Sequence, residues 1–278
     1  MNKVQQSESK QPGLFWQVSG QGQDLVLVHG WGMNGAVWQQ SVDALSQHYR
    51  VHVVDLPGFG HSHHTEFIGM EDLTKQVLEG APQQAIWLGW SLGGLVATHI
   101  ALNHPQRVSK LITVASSPKF AAQKSWRGIQ PKVLNAFTEQ LVDNFQLTIE
   151  RFMALQAMGS PSARQDVKQL KQAVLSRPTP NPTSLLSGLN LLGDLDYRHR
   201  LSELTMPMLR LYGRLDGLVP VKVANDVDSL NPRSQSHVFS ASSHAPFMTE
   251  FESFCEQVQR FIGSEATLCN SMSINNNA

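Results

Sequence analysis

Short apolar runs bounded by turn residues recur along this chain, and stretches of helical composition separate them. The runs cover residues 25–28, 51–55, 85–88, 110–115, 208–212 and 236–240. Strands that alternate with helices in this way pair in parallel, because each helix carries the chain back across the sheet and covers one of its faces. The alternation therefore predicts an α/β fold, a mostly parallel sheet flanked by helices.

The alternation is interrupted between residues 118 and 194, where no convincing strand occurs. Apolar residues recur there at helical spacing, and Ser160 followed by Pro161 is typical of an N-cap and a first helical position. We therefore expect several helices that form a cap inserted into the α/β core. The predicted division is core 1–117 and 195–263, cap 118–194, and a polar, Asn-rich, disordered tail 264–278.

The pentapeptide Gly89-Trp90-Ser91-Leu92-Gly93 lies between a strand-like run and a stretch of helical composition. A serine in this context is typical of a nucleophile elbow, because the glycines let the helix pack close to the strand and leave Oγ accessible. The same five-residue pattern also occurs in ordinary turns, so the interpretation as a nucleophile elbow depends on the strand before it and the helix after it. We predict that Ser91 is a catalytic nucleophile.

A serine hydroxyl becomes a good nucleophile when a base removes its proton and an acid orients that base. In this architecture an acid and then a histidine follow the serine, each in a loop after a strand. Asp216 and His244 occupy such positions, whereas Asp194 and Asp196 precede a strand. The predicted triad is Ser91, Asp216 and His244.

The attacked carbonyl develops negative charge and needs backbone donors that are already in place. One candidate is the N–H of Leu92, directly after the nucleophile, and the second is the N–H of Trp31 in the Gly-rich loop after the first run. His29 opens that loop, and we expect it to form local hydrogen bonds rather than act as a base. We expect the Trp31 side chain to form a wall of the substrate pocket.

The composition excludes several classes of function. The chain has 22 basic and 22 acidic residues, so no global field attracts nucleic acid or an anionic membrane. It has no signal-peptide pattern and no apolar run of membrane-spanning length, and Cys255 and Cys269 lack disulfide or metal spacing. His61, His63 and His64 lack a partner Cys or carboxylate at ligand spacing. We expect a cytoplasmic monomer without metal or cofactor.

Four basic residues of the predicted cap form a candidate positive face. Arg164, Lys168 and Lys171 lie at helical spacing opposite the apolar stripe of their helix, and Arg151 lies on the preceding helix. Acidic residues close by favour an ordinary solvated face. The alternative is a docking surface for an acidic protein or a phosphate-bearing carrier. The residues themselves leave both interpretations open.

Several segments together carry a family resemblance. They are 27–32, 54–60, 85–97, 113–118, 151–156, 209–213 and 244–247. On these segments the chain resembles the α/β-hydrolases, and within them the carboxylesterases of biotin synthesis that demethylate pimeloyl-[acyl-carrier protein] methyl ester. The generic hydrolase motifs are shared by many esterases, whereas the segment 151–156 and the tripeptide Gly89-Trp90-Ser91 are the specific part.

The resemblance implies which residues contact the substrate and its carrier. The implied substrate contacts are Trp31, Ser91, Leu92, Phe152, Met153, Ala154, Leu155, Gln156 and His244. It also implies that basic cap residues receive an acidic acyl carrier protein. Arg151 and Arg164 match that pattern, whereas Lys168 replaces an expected arginine and Leu147 replaces an expected basic residue. Docking is therefore expected to be weaker or distributed differently.

The function implied by the resemblance is a serine carboxylesterase that converts pimeloyl-[acyl-carrier protein] methyl ester to pimeloyl-[acyl-carrier protein] and methanol. Two alternatives stay open. One is a broad-specificity short-chain carboxylesterase or C–C bond hydrolase that uses the same triad. The other is a non-catalytic binding protein with a hydrolase fold, which would need a broken triad, whereas the predicted triad is complete.

Overall fold

The computed structural model describes residues 13–264, and within them seven strands form one mixed sheet. Its strands are β1 Trp16–Ser19, β2 Asp24–Val28, β3 Arg50–Val54, β4 Ala85–Trp90, β5 Val108–Val114, β6 Met208–Gly213 and β7 Gln235–Phe239. Their order is β1-β3-β2-β4-β5-β6-β7, with β1 antiparallel to β3 and the other neighbours parallel. The predicted α/β fold with a mostly parallel sheet is confirmed.

Helices connect the parallel strands and cover the sheet. They are α1 Gln39–Leu45, α2 Gly69–Gly80, α3 Leu92–Asn103, α4 Pro131–Asp143, α5 Phe145–Ala157, α6 Ala163–Leu175, α7 Pro182–Asp194, α8 Val223–Leu230, α9 Pro246–Thr249 and α10 Phe251–Gly263. All six residues of β4 are buried, as expected for a central strand with both faces covered. None of the helices within residues 13–264 is long and apolar enough to cross a membrane.

In the described chain, four α-helices, α4 to α7, lie between β5 and β6, and we call them the inserted helices. Helix α6 begins at Ala163 with Ser162 as its N-cap residue, so the predicted start at Ser160 and Pro161 is wrong. The hydroxyl of Ser160 instead donates to the buried carboxylate of Asp166, at 2.7 Å. The same hydroxyl accepts the backbone N–H of Ser162 at 3.2 Å, as an N-cap serine does, but residues 161 and 162 form a turn and the helix begins after them. The role of the inserted helices as a cap stays a prediction.

A buried ion pair joins the inserted helices to the sheet. Asp55 directly follows β3, and its Oδ1 lies 2.6 Å from Nη1 of Arg177, in the segment between α6 and α7. The same carboxylate accepts the backbone N–H groups of Gly35 and His61, each at 2.7 Å. The Asp55 side chain is fully buried and that of Arg177 is 8% exposed. Since a buried charge without a partner is costly, each member depends on the other.

His29, at the end of β2, is a buried structural residue. Its Nδ1 lies 2.8 Å from the carbonyl oxygen of Gly30, and its Nε2 accepts the N–H of Leu56 at 3.0 Å. Nδ1–H is therefore the donor, and the ring is neutral. Burial lowers the pKa of His29 to about 4. The local bonding predicted for His29 is confirmed.

We predict that Arg177→Met lowers the free energy of unfolding by about 3 kcal/mol, because the carboxylate of Asp55 stays buried without its counter-charge. The matched control is Lys171→Met, which removes the exposed pair between Lys171 and Glu150. An exposed pair contributes less than about 1 kcal/mol. Urea unfolding of both variants measures the difference, and equal losses would show that the buried pair contributes no special stability.

We predict that the stability of the protein falls as the pH is lowered below about 6.5, in part through His29. The unfolded chain binds a proton at His29 near pH 6.5, whereas burial lowers the pKa of His29 in the folded protein to about 4. Acid therefore favours unfolding, and the stability contributed by neutral His29 is lost between these values. His29→Gln should flatten the slope by up to about 1.4 kcal/mol per pH unit. Urea unfolding between pH 7 and 5 tests this, with the exposed His48→Gln as control; unchanged slopes in both variants would contradict it.

Candidate active site

Ser91 lies at the turn between β4 and α3, in a backbone conformation that non-glycine residues seldom adopt. Its φ is 56° and its ψ is −118°. The carbonyl oxygen of Ser91 accepts a bond from the hydroxyl of Ser116, at 2.8 Å, and its N–H donates to the carbonyl of Val114, at 2.9 Å. The strained turn is therefore held from β5, and it places Oγ at the carboxyl end of the sheet.

The two glycines of the pentapeptide are required by close approach of backbone to backbone. A Cβ at Gly89 would lie 2.1 Å from the carbonyl oxygen of Gly93, and a Cβ at Gly93 would lie 2.3 Å from that of Val28. Any side chain at either position would push α3 away from the sheet. The glycines thus allow α3 to begin directly after Ser91.

The three predicted triad residues meet in one chain of hydrogen bonds. Nε2 of His244 lies 2.9 Å from Oγ of Ser91, and Nδ1 lies 2.7 Å from Oδ2 of Asp216. The other oxygen of Asp216 accepts the N–H groups of Leu218 and Val219, at 2.8 and 2.9 Å. Since a carboxylate only accepts, Nδ1 carries the proton and Nε2 is free to accept from the serine. The order of groups is that of a nucleophile, its base and an orienting acid.

The competing acids and bases lie elsewhere. Asp196 is paired with Arg198 at 2.6 Å, and the hydrogen bond from this guanidinium lowers the pKa of Asp196 to about 2. His99 is bonded to the hydroxyl of Tyr197 at 2.8 Å, and burial lowers the pKa of His99. Neither is hydrogen-bonded to Ser91.

One predicted oxyanion donor directly follows Ser91, and the other belongs to a loop that approaches it. Leu92 is the first residue of α3, so its N–H has no acceptor within the helix. Trp31 lies in the loop after β2, and a Cβ at the preceding Gly30 would lie 3.2 Å from Cβ of Ser91, which shows how closely this loop approaches the nucleophile. Their assignment as oxyanion donors stays a prediction.

The Trp31 side chain is fully buried and packs against the inserted helices. Its indole Nε1 donates to the carbonyl of Leu185 at 2.8 Å, and its ring meets Phe152 edge to face at 4.8 Å between centroids. A Cβ at Gly188 on α7 would lie 2.7 Å from Cδ1 of Trp31, so α7 packs tightly on the indole. Helices α5 and α7 therefore both pack on the Trp31 side chain, and its role as a wall of the substrate pocket stays a prediction.

The predicted substrate contacts on α5 divide between two faces. Phe152, Met153 and Gln156 are buried, and Phe152 contacts Trp31. Ala154 and Leu155 instead line an open groove of about 540 Å³ between α4 and α5. The structure therefore buries one set, with Phe152 against Trp31, and leaves the other on the outer surface of the inserted helices; their role as substrate contacts stays a prediction.

The main chain of His244 is held on both sides by groups that the sequence did not indicate. Its N–H donates to the carbonyl of Gln156 at the end of α5, at 3.0 Å, and its carbonyl accepts from Nε1 of Trp90, at 2.7 Å. The neighbouring Ser243 hydroxyl donates to the carbonyl of Met158, at 2.9 Å. The histidine loop is thus bonded both to the nucleophile's strand and to the inserted helices.

The four basic residues of the predicted docking face are all exposed, and their partners differ. Lys171 forms an ion pair with Glu150 at 2.6 Å, and Arg151 donates to Oε1 of Gln140, also at 2.6 Å. Arg164 and Lys168 form no ion pair with any carboxylate in the described chain. Lys171 thus has a carboxylate partner, Arg151 has a neutral one, and Arg164 and Lys168 have no ion pair within the described chain.

Comparison with solved structures agrees with this fold. An esterase from Exiguobacterium antarcticum superimposes with a TM-score of 0.80 at 23% identity, covering 90% of this chain and 96% of that one. An enol-lactonase from Burkholderia xenovorans gives a TM-score of 0.79 at 18% identity, covering 90% and 96%. At such identities the likeness establishes the fold alone.

Sequence comparison identifies the family. The model of the alpha/beta hydrolase fold matches residues 25–251. A protein of Vibrio cholerae named pimeloyl-[acyl-carrier protein] methyl ester esterase is 71% identical over 248 residues, covering 89% of this chain and 97% of that protein. A protein of the same name from Photobacterium profundum is 61% identical over 249 residues, covering 90% and 98%. The chain therefore belongs to the α/β-hydrolase family, in which these similar relatives carry the name of pimeloyl-[acyl-carrier protein] methyl ester esterases.

Proposed function

We propose that this protein is a serine carboxylesterase that hydrolyses the methyl ester of pimeloyl-[acyl-carrier protein]. The observation that carries the proposal is the hydrogen-bonded chain from Ser91 through His244 to Asp216, at 2.9 and 2.7 Å. The name shared by relatives that are 61% to 71% identical supports the choice of substrate. A hydrolase of this kind needs neither metal nor organic cofactor for its chemistry.

In the first half of the reaction, Oγ of Ser91 attacks the ester carbonyl carbon while its proton passes to Nε2 of His244. The carbonyl π electrons move onto oxygen, and the N–H groups of Trp31 and Leu92 bind the resulting oxyanion. Collapse of this intermediate breaks the bond to the methoxy oxygen, which takes the proton from His244 and leaves as methanol. Asp216 stabilises the imidazolium that forms in between.

In the second half, His244 removes a proton from water as the water oxygen attacks the acyl-enzyme carbonyl. The bond to Oγ of Ser91 then breaks, Oγ regains its proton from His244, and the free carboxylic acid is released. Ser91 is only 2% exposed, and Trp31 and His244 are fully buried. We therefore expect the Trp31 side chain or the inserted helices to move when an acyl chain binds at Oγ.

The carrier protein is proposed to bind on the exposed face of the inserted helices. Arg151 and Arg164 match the positions that the resemblance assigns to docking, and Lys168 is a third exposed cation on the same helices. Opposite charges on an acidic partner would orient it so that its acyl arm meets the groove between α4 and α5. Lys171, already paired with Glu150, is expected to contribute less.

We predict that Ser91→Ala lowers kcat by about 10⁵-fold or more and that Asp216→Asn lowers it by about 10⁴-fold. The first variant removes the nucleophile, and the second favours the wrong imidazole tautomer. Turnover of a short p-nitrophenyl ester measures both, with the surface variant Asp226→Asn as control. A folded Ser91→Ala protein that keeps more than a few per cent of the wild-type rate would remove Ser91 from the mechanism.

We predict that kcat/KM for carrier-linked pimeloyl methyl ester far exceeds that for short p-nitrophenyl esters. In the double variant Arg151→Glu/Arg164→Glu, KM for the carrier-linked substrate should rise by about tenfold, because reversed charges repel an acidic carrier outside the reacting centre. Turnover of the small ester should barely change. Added salt should shrink the wild-type preference, since exposed charges are screened over about 8–10 Å.

The matched control is Lys75→Glu/Arg260→Glu, which makes the same change in net charge on α2 and α10 of the core. It should leave KM for the carrier-linked substrate unchanged. Equal effects of both double variants would mean that only net charge matters. A wild-type enzyme with no preference for the carrier-linked substrate would instead indicate a broad-specificity carboxylesterase.

A further inference from the structure

The indole of Trp90 is a hydrogen-bond donor to the main chain of the triad histidine. Its Nε1 lies 2.7 Å from the carbonyl oxygen of His244, and both residues are fully buried. A buried N–H without an acceptor would be costly, so this bond persists as long as the site is dry. Trp90 is also the residue directly before Ser91. One strand end therefore carries the nucleophile and holds the base.

The hydrogen bond from Trp90 to the carbonyl of His244 helps to fix the direction in which the imidazole leaves the main chain. The N–H of His244 donates to the carbonyl of Gln156 at 3.0 Å, so the peptide groups on both sides of its Cα are fixed. With both peptides fixed, the direction of the Cα–Cβ bond is fixed too. The imidazole then needs only its two side-chain torsions to reach Ser91 and Asp216.

The Trp90 ring is itself held by rigid neighbours. It meets Phe247 edge to face, with centroids 5.0 Å apart, and Trp38 edge to face at 6.4 Å. A Cβ at Gly30 would lie 3.3 Å from Cε3 of Trp90, so the loop that carries the proposed oxyanion donor Trp31 also packs on this ring. The indole thus touches the base, adjoins the nucleophile and supports the oxyanion loop.

We propose that Trp90 is a positioning residue for His244, and that its indole N–H sets the distance between the imidazole and the nucleophile. This inference rests on the proposed function, because it takes His244 as the base for Ser91. Loss of the N–H would leave the carbonyl of His244 without its buried donor and let the histidine loop shift. A shift of the loop misaligns Nε2 with Oγ, which slows proton transfer without changing the aromatic pocket that binds the acyl chain.

The test compares Trp90→Phe with Trp87→Phe. Trp87 is a matched control because it lies on the same strand, is fully buried, and donates its Nε1 to a backbone carbonyl, that of Arg107, at 3.0 Å. We expect Trp90→Phe to lower kcat on a short p-nitrophenyl ester by about tenfold, with KM unchanged within about twofold. The rate at which a small organophosphate modifies Ser91 should fall by the same factor, since it depends on the same base. Trp87→Phe should lose stability but keep both rates.

If Trp90→Phe does not fold, the indole of Trp90 is replaced by benzothiophene through suppression of an amber codon. This ring keeps the shape of the indole and substitutes sulfur for the N–H, so the same losses of kcat and of organophosphate reactivity are expected. Unchanged rates in a folded variant would overturn the proposal, as would equal losses in Trp87→Phe. An inactive Ser91→Ala with an unaffected Trp90→Phe would contradict this inference alone, whereas an active Ser91→Ala would contradict the proposed function itself.

Discussion

Parallel alignment of the strands is the constraint on which the site depends. Ser91 follows β4, Asp216 follows the end of β6 and His244 follows the end of β7, and these strands all run in one direction. Their carboxyl ends therefore lie at one edge of the sheet, and residues 153 positions apart come within 2.9 Å.

Two carboxylates at this edge are held by hydrogen bonds of the same kind. Asp55 and Asp216 each accept two backbone N–H groups, which fix the carboxylate, and each then binds one cationic or ionisable side chain.

Most strands of the sheet, and the identity of the three triad residues, were predictable because they depend on local sequence patterns. Each predicted run became a strand. The runs of β2 and β4 are continuously apolar because these strands are buried on both faces, whereas β7 lies at the edge of the sheet and is mostly exposed. The edge strand β1 escaped prediction because its four residues, Trp-Gln-Val-Ser, have no such run and only intermediate or exposed positions. The glycines around Ser91 were informative because their function is purely steric. Asp216 and His244 followed from their places after two strands.

The features of the fold and the site that the sequence did not predict depend on contacts between segments that are distant along the chain. Nothing near Arg177 in the sequence indicates Asp55, which lies 122 positions away, and nothing near Trp90 indicates the carbonyl of His244, 154 positions away. The start of α6 was predicted too early: Ser160 accepts the N–H of Ser162, but residues 161 and 162 form a turn before the helix begins at Ala163. The basic face looked uniform in sequence, yet the helix packing pairs Lys171 with Glu150 and leaves Arg164 without an ion pair in the described chain. Spacing along one helix cannot reveal partners on another.

The ion pair between Asp55 and Arg177 limits how the inserted helices can be exchanged between members of this family. The inserted helices enter and leave the sheet at β5 and β6, and look like a module that recombination could replace as a unit. Arg177 belongs to that module, but its carboxylate partner belongs to the core. A transplanted set of helices without an arginine at this place would leave a fully buried charge unbalanced in its new host. Successful chimeras must therefore exchange both residues together, or neutralise Asp55 at the same time.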